Sequence, residues 1–296
     1  MDSACQNCGE RAARWSSKFP ELHLDQCLDC GSLSYRGGEE LDASTIYSDE
    51  YFHGGEYENY IGHREVHERN FSRRWAILAP HLRRPVRLFE IGCAYGFFID
   101  FARRQGAESV FGTDISQDAI AFARSQFGPH FSVASEASRP PFSFNCLVAW
   151  DVWEHLESPR DLLEGLIRDL EPGGVLALTT VDSGAVVARL RGKRWRQIHP
   201  PTHLHYPTRR GLSLGLARLG LRIVRHTYLG YYRALESYLS PLGLDRFVRR
   251  FPNARTLPIP LDLRDIQLVV ATKDEAARTE SLPNPNRAPR INPIRS

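Results

Sequence analysis

The stretch LFEIGCAYGFFIDFARRQG, residues 88–106, decides the fold of this chain. An apolar run leads to Glu90, a turn follows with glycine at Gly92 and Gly96, and a helical pattern then begins. A strand, a glycine turn and a helix in this order are the usual place where an α/β protein holds a nucleotide-like cofactor. The turn carries Ala94 where a third glycine often stands, so the stretch alone also fits an ordinary strand-to-helix turn.

Strands and helices alternate from residue 86 onwards. Ser116 and Thr208 stand at N-cap positions, and Gly128 follows the end of a helical pattern. The run 144–152 is apolar almost throughout, as a strand buried on both faces should be. The seven predicted strands cover residues 86–92, 109–115, 130–135, 144–152, 175–181, 221–228 and 266–273. This alternation predicts an α/β fold with a doubly wound, mostly parallel seven-stranded sheet.

The composition is that of a folded globular protein with a small net charge. The chain has 296 residues, of which 42% are hydrophobic and 25% are charged, and its formal net charge is +3. This balance does not favour nucleic acid as a partner, and no apolar run has the length of a membrane span. The N-terminus carries no apolar signal core. We therefore expect a cytoplasmic protein without a membrane partner, and the sequence leaves the oligomeric state open.

Two Cys-x-x-Cys pairs stand near the N-terminus. Cys5 and Cys8 form the first pair, and Cys27 and Cys30 form the second, after 18 intervening residues. Four thiolates at this spacing are typical of a zinc ribbon. Because they would fill the coordination sphere, we expect a structural zinc that stabilises the fold or docks a partner. The alternatives are four ordinary thiols or a redox pair, although a redox motif would need a βαβ context.

The chain divides into four predicted segments. They are a zinc-ribbon-like module at 1–34, an aromatic-rich helical linker or lid at 35–84, a catalytic domain at 85–275 and a disordered tail at 276–296. Tyr51 and Tyr57 lie in the linker, whose aromatic residues either pack its helix or close over a site. Within the catalytic domain, we expect the stretches 182–210 and 231–262 to supply the substrate pocket.

The residues around the glycine turn separate two classes of cofactor. Asp114 ends the second strand, 18 residues after Gly96, where a carboxylate can accept both hydroxyls of a ribose. This feature fits a dinucleotide and S-adenosylmethionine (SAM) alike. A dinucleotide would require glycine at positions 94 and 97 to admit its pyrophosphate, and the chain has Ala94 and Phe97. The acid at Glu90 can instead meet the cationic amine of SAM.

Several motifs together resemble the class I SAM-dependent methyltransferases. They are YSDEYF, FEIGCAYGFFIDFA, GTDIS, WDVWEHLESP, LEPGGVLALTT, Trp195 and HPPTHLHYPTRRGL. The resemblance covers residues 45–230. Within this class, the chain is similar in particular to small-molecule and glycan methyltransferases with an N-terminal cysteine module. It implies a Rossmann-like methyltransferase sheet with SAM as the cofactor. The motifs are specific for the superfamily, but they say little about the substrate.

The resemblance also implies a role for residues at one edge of the sheet. Glu90 and the turn would hold the methionine part of SAM, Asp114 its ribose and Ile115 its adenine, and Asp151 would lie near the methyl group. The implied cofactor-binding set is Glu90, Gly92, Cys93, Ala94, Tyr95, Gly96, Asp114, Ile115, Ser135, Glu136, Ala137 and Asp151. The family usually has glycine at position 94, and we expect alanine to be tolerated there if its φ is negative.

Histidines are the candidate catalytic groups. A hydroxyl that attacks the methyl group of SAM generally needs a base, and histidine has a suitable pKa. His155 and His203 match positions in the resembled motifs, and we rank them as the candidate bases. His199 and His205 are candidate substrate contacts. Trp195 is another, and it is either a pocket wall or part of the core.

The leading hypothesis is methyl transfer from SAM to a hydroxyl of a small metabolite, a sugar or a glycan. C- or N-methylation of a similar acceptor is a close alternative. RNA methylation with the zinc ribbon as the grip is a third, but residues 1–34 are not basic. The motif WDVW also differs from the Asn/Asp-Pro-Pro-aromatic loop of enzymes that methylate base amines. A non-catalytic SAM-binding scaffold is the fourth.

Overall fold

The computed structural model describes residues 4–37, 61–133, 139–239 and 255–274. Its strands are β1 (Trp15–Phe19), β2 (Leu24–Cys27), β3 (Leu33–Tyr35), β4 (Arg87–Ile91), β5 (Ser109–Asp114), β6 (Phe131–Val133), β7 (Cys146–Trp150), β8 (Val175–Val181), β9 (His205–Tyr206), β10 (Leu221–Tyr228), β11 (Tyr231–Ala234), β12 (Pro258–Leu261) and β13 (Ile266–Lys273). Its helices are α1 (Arg64–Leu78), α2 (Phe97–Arg104), α3 (Gln117–Phe127), α4 (Pro159–Asp169), α5 (Val186–Arg191), α6 (Arg209–Arg218) and α7 (Glu236–Leu239). Within these residues, no helix combines the length and the apolar character that a membrane span requires.

Seven strands form one sheet in the order β10-β13-β8-β7-β4-β5-β6. The strands from β8 to β6 run parallel to their neighbours, whereas β13 is antiparallel to both β8 and β10. The carboxyl ends of β4, β5 and β7 therefore lie at the same edge of the sheet. The predicted mostly parallel, seven-stranded α/β sheet is confirmed.

Helices cover both faces of this sheet, and two apolar clusters result. Alternate residues of β7 point to opposite faces, so that Val148 joins one cluster and Leu147 the other. The first cluster contains side chains of α1, α2 and α3, and the second contains side chains of α4 and α6. Every residue of β7 is buried, which explains its uninterrupted apolar sequence.

Side-chain hydrogen bonds fix the starts of two helices next to the site. The Ser116 hydroxyl accepts the Ala119 N–H at 3.2 Å, and the Thr208 hydroxyl accepts the Gly211 N–H at 2.9 Å. Each bond satisfies an N–H that has no partner within its own helix. The N-caps predicted at Ser116 and Thr208 are confirmed.

The cysteine module is joined to the rest of the protein by a shared sheet. Strands β1, β2 and β3 are antiparallel, and β9 extends them by pairing with β3. In this pairing Leu33 lies opposite Tyr206, and Ser34 lies opposite His205. Since β9 belongs to the segment that carries the predicted catalytic His203, the module contacts that segment directly.

A second contact places the module against α6 and the turn after β7. The buried side chain of Asn7 accepts the Trp153 indole N–H at 3.0 Å. Its backbone oxygen lies so near α6 that a Cβ on Gly215 would stand 2.3 Å from it. Only glycine permits this approach, because such a distance is well inside van der Waals contact.

Candidate active site

The glycine turn after β4 has a left-handed backbone at three positions. The φ angles are 68° at Gly92, 44° at Ala94 and 77° at Gly96. A Cβ would lie 2.5 Å from Val152 at position 92 and 2.5 Å from Phe131 at position 96. Glycine is therefore required at both positions, on steric grounds as well as for its φ.

The backbone conformation of Ala94 differs from the one that we expected. We expected alanine to be tolerated at position 94 through a negative φ, and the φ is positive. The left-handed conformation turns the Ala94 N–H toward the Asp114 carboxylate, which accepts it at 2.8 Å. This hydrogen bond supports a conformation that is otherwise unfavourable for a residue with a Cβ.

Ala94→Gly is expected to raise the free energy of unfolding by about 1 kcal/mol, because glycine enters the left-handed region without the clash of a Cβ. The matched control is Ala121→Gly on the exposed face of α3. There the same change should lower the free energy of unfolding by about 1 kcal/mol. Chemical denaturation of the three proteins measures both values. Equal losses in the two variants would contradict a strained Ala94.

Glu90 is a buried carboxylate near the end of β4. It is 3% exposed, and its Oε2 atom has no hydrogen-bond partner among the described residues. Burial raises the pKa of Glu90 well above its usual range, the charge of Arg74 opposes the rise, and Asp114 adds to it. A buried carboxylate oxygen without a donor fits a ligand that brings a cationic amine.

Asp114 ends the neighbouring strand β5 and holds the turn in place. One carboxylate oxygen accepts the Ala94 N–H, and the other accepts the Ser116 N–H at 3.0 Å. Burial raises the pKa of Asp114, and these backbone hydrogen bonds lower it. Each carboxylate oxygen can accept two hydrogen bonds, so both keep capacity for a ribose hydroxyl. The next side chain, Ile115, is 47% exposed and is therefore accessible to a ligand.

Arg74 is a site residue that sequence reasoning missed. It lies on α1, yet it forms an ion pair with Asp151 and places its guanidinium 5.2 Å from the centre of the Trp150 ring. Asp151 follows β7 and has a left-handed φ of 56°. A signal was available in the sequence, because Arg74 lies three residues after Phe71 and four before Leu78, both buried. An arginine on the buried stripe of a helix indicates that a charge partner lies nearby.

One carboxylate and three histidines form a cluster between the turn after β7 and the segment before β9. Glu154 and His155 follow β7 in the turn Trp153–His155, and His203 and His199 come from the segment before β9. The centre of the His203 ring lies 4.5 Å from the centre of the His155 ring and 3.8 Å from that of the His199 ring. The structure thus brings the two predicted catalytic histidines together, with His199 beside them.

Burial changes the proton affinity of this cluster. It raises the pKa of Glu154 to about 8, and the charge of Asp151 adds to the rise. Burial also lowers the pKa of His203 far below its usual range, and the neighbouring His155 and His199 lower it further. His203 is therefore neutral near pH 7, and it would hold an abstracted proton only weakly.

Two predicted substrate contacts have hydrogen-bond partners elsewhere in the protein. Trp195 is buried in a separate apolar cluster that includes residues of β2, β3, β8 and β9. Its indole N–H donates to Asp265 at 2.9 Å. His205 makes hydrogen bonds with both ring nitrogens, to the Ser34 hydroxyl and to the Glu157 backbone oxygen. These contacts place Trp195 in the core and His205 in the interface with the cysteine module.

The other predicted site residues have simpler positions. Cys93 and Tyr95 belong to the turn, but their side chains are buried in the first apolar cluster. The predicted contacts that lie outside the described residues are Tyr51, Tyr57, Ser135, Glu136 and Ala137.

The four N-terminal cysteines form one buried group. Their Sγ atoms all lie within 4.8 Å of one another, and Cys5 Sγ and Cys30 Sγ are 3.9 Å apart. A disulfide would bring two sulfurs to about 2.05 Å. Tetrahedral zinc with Zn–S bonds of about 2.3 Å would separate them by about 3.8 Å. The spacing fits a metal better than it fits a disulfide.

Comparison with known proteins gives the family. Residues 61–226 match the family model described as "Methyltransferase domain", which is more than half of the chain. The chain belongs to this family of methyltransferase domains. This confirms the resemblance that the motifs carry.

Two curated relatives and one solved structure illustrate the similarity. The chain is 35% identical over 164 residues to the mitochondrial ubiquinone biosynthesis O-methyltransferase of Schizosaccharomyces pombe, a match that covers 51% of each chain. It is 29% identical over 164 residues to the tRNA U34 carboxymethyltransferase of Idiomarina loihiensis, covering 50% of each. The chain thus spans about half the length of the curated relatives it matches. Magnesium protoporphyrin IX methyltransferase from Synechocystis PCC 6803 shares the fold, with a TM-score of 0.51 and 15% identity, covering 78% of this chain and 100% of that one.

The binding of the demethylated cofactor, S-adenosylhomocysteine, is expected to weaken as the pH falls. If Glu90 meets the amine of this ligand, the carboxylate has to be ionised. Burial raises the pKa of Glu90, so protonation would compete at a higher pH than it would for an exposed glutamate. Below that pKa, the dissociation constant should rise about tenfold per pH unit. Calorimetry across the acid range measures this change.

Two variants isolate the contribution of Glu90 to this pH dependence. Glu90→Gln should bind weakly at every pH and lose most of the dependence. Glu164→Gln, an exposed glutamate on α4, should behave like the wild type. A wild-type affinity that stays constant with pH would show that Glu90 does not meet the amine.

Proposed function

We propose that this methyltransferase transfers the methyl group of SAM to a hydroxyl of a small metabolite, a sugar or a glycan. The observation that carries the proposal is the cluster of Glu154, His155 and His203 next to Asp151. Histidine and carboxylate groups at this place can activate a hydroxyl, which reacts poorly until it loses its proton. An amine acceptor has its own lone pair and needs less help, so the cluster favours oxygen over nitrogen.

The chain's residues would bind the cofactor at the carboxyl ends of β4, β5 and β7. Glu90 would hold the amine of its methionine part, Arg74 the carboxylate, Asp114 the ribose hydroxyls and Ile115 the adenine ring. The turn from Gly92 to Gly96 lets the cofactor approach the backbone closely. When bound, SAM supplies a methyl carbon on a positively charged sulfur, which makes that carbon electrophilic.

The reaction is an in-line displacement. The acceptor oxygen would form a bond to the methyl carbon while the carbon–sulfur bond breaks, and the electron pair of that bond would stay on sulfur. The hydroxyl proton leaves to the cluster of Glu154, His155 and His203 or to water. The protein contributes mainly by holding the acceptor oxygen in line and by excluding competing water.

We also propose that Cys5, Cys8, Cys27 and Cys30 hold a structural zinc. Four thiolates complete a tetrahedral shell and leave no position for a substrate. The metal would therefore stabilise the module and its contact with β9 and α6, and it would take no part in the methyl transfer.

Metal analysis of the purified protein is expected to find about one zinc per chain. The double variant Cys5→Ser, Cys8→Ser should lose it, because two ligands are too few for a closed site. Cys146→Ala, a buried cysteine of β7 outside the group, should retain it and serves as the control. A native protein that holds no zinc would refute this site.

Methyl transfer from labelled SAM to a panel of sugars, phenols and other hydroxylated metabolites tests the function. His203→Ala should lower turnover by about 10²-fold or more, because activation of the hydroxyl is lost, and leave the affinity for S-adenosylhomocysteine within about twofold. His226→Asn, a half-buried histidine of β10, is the matched control and should keep wild-type turnover. The variants are compared by initial rates and calorimetry.

Three results would overturn this proposal. A wild type that binds neither SAM nor its demethylated product would rule out transfer, and label that enters only RNA would exclude a small acceptor. Unchanged turnover in His203→Ala would exclude the histidine cluster as the activating group.

A further inference from the structure

We propose that Glu154, His155 and His203 bind a divalent first-row transition-metal cation, separate from the zinc of the cysteine module. Each residue offers one ligand atom, and the three atoms all lie within 4.8 Å of one another. Ligands of one such cation stand about 3 to 4 Å apart, so small movements of the side chains would complete the site. The inference rests on the proposed function, because the cation would lie where the acceptor hydroxyl is activated.

Hydrogen bonds fix the tautomer of both histidine rings. His155 Nδ1 lies 2.9 Å from the Thr202 backbone oxygen, and His203 Nδ1 lies 2.9 Å from the Gln197 backbone oxygen. A carbonyl oxygen can only accept, so each Nδ1 carries the hydrogen, and in the neutral ring Nε2 keeps its lone pair. Histidine ligands of metals typically have this second hydrogen bond, which fixes the tautomer and the ring orientation.

The carboxylate shows the same pattern. One oxygen of Glu154 accepts the Thr180 hydroxyl at 2.7 Å, and this bond orients the group while the carboxylate still offers a second oxygen. Glu154 is 2% exposed, and a carboxylate that is buried beside two histidines with acceptor nitrogens gains from a positive charge among them. Either a proton or a cation can supply that charge.

The two segments that carry the ligands are also fixed to each other. The Leu204 N–H donates to the Glu154 backbone oxygen at 2.7 Å, and the Tyr206 hydroxyl donates to the His203 backbone oxygen at 2.9 Å. Together with the bond from His155 to Thr202, these contacts hold the cluster in one arrangement. A site on rigid backbone loses little entropy when it binds an ion.

The donor set indicates which cations would bind. Two imidazole nitrogens and one carboxylate oxygen suit manganese, iron, cobalt or zinc, whereas magnesium prefers oxygen ligands and retains its water. Three protein ligands leave coordination positions for an acceptor oxygen, whose proton would then leave to water because the cation lowers the pKa of the hydroxyl.

A manganese titration of the full-length protein tests the site. Mn²⁺ is a suitable probe because thiolates bind it weakly, so it does not displace zinc from the cysteines. The protein carrying one zinc per chain is titrated with Mn²⁺, and free Mn²⁺ is followed by its electron paramagnetic resonance signal. We expect about one Mn²⁺ bound per chain, and at least tenfold weaker binding in Glu154→Gln and in His203→Asn.

Controls separate a lost ligand from a lost fold. Both variants must retain the zinc and the affinity for S-adenosylhomocysteine, and His226→Asn should bind Mn²⁺ like the wild type. The site is excluded if wild type leaves Mn²⁺ free at about 1 mM, a concentration at which even a weak three-ligand site would fill. It is also excluded if the two ligand variants bind as tightly as wild type.

This test distinguishes the cation from the proposed function. Mn²⁺ binding is measured without any acceptor, and cofactor binding is measured without Mn²⁺. Turnover that persists in a protein with no second metal site would refute the proposed cation site and would not affect the proposed methyl transfer. Loss of cofactor binding in the wild type would overturn the methyl transfer whatever the manganese result.

Discussion

The candidate active site depends on one largely buried arginine that balances two acids. Glu90 and Asp151 lie at the carboxyl ends of the neighbouring strands β4 and β7, and taking a carboxylate such as Glu90 out of water costs several kcal/mol unless a cation or donors compensate. Arg74 pairs with Asp151, and its charge opposes the rise in the pKa of Glu90. Because Arg74 belongs to α1, the helix before the glycine turn is part of the site.

Patterns that repeat along the chain made most of the fold predictable from the sequence. Every predicted strand of the large sheet is present, because a run that is buried on both faces has to be apolar and the turns between runs need glycine or proline. Ser116 and Thr208 could be identified as caps, since a cap depends only on the next three residues. The family followed from motifs at the ends of these strands.

Features that depend on tertiary contacts could not be predicted in the same way. The left-handed φ of Ala94 is set by the Asp114 carboxylate of a neighbouring strand, and no local signal in an alanine reveals it. Trp195 and His205 were candidate substrate contacts by their position in the chain, and only the fold reveals their hydrogen bonds with Asp265 and Ser34. A polar residue in a pocket segment therefore needs its partners before it can be assigned a function.

The cysteine module contacts the segment that carries the candidate catalytic His203. Its own metal would have no free coordination position and would take no part in the reaction. Its strand β3 pairs with β9, and the Ser34 hydroxyl bonds to His205, two residues after His203. The same segment is bonded to the backbone of Glu154 through Leu204. A metal that orders the module therefore also orders the segment on which His203 stands. The position of a histidine relative to Glu154 has to be accurate to within about 0.5 Å for ligation or catalysis, and an extra strand pairing is a direct way to achieve this accuracy.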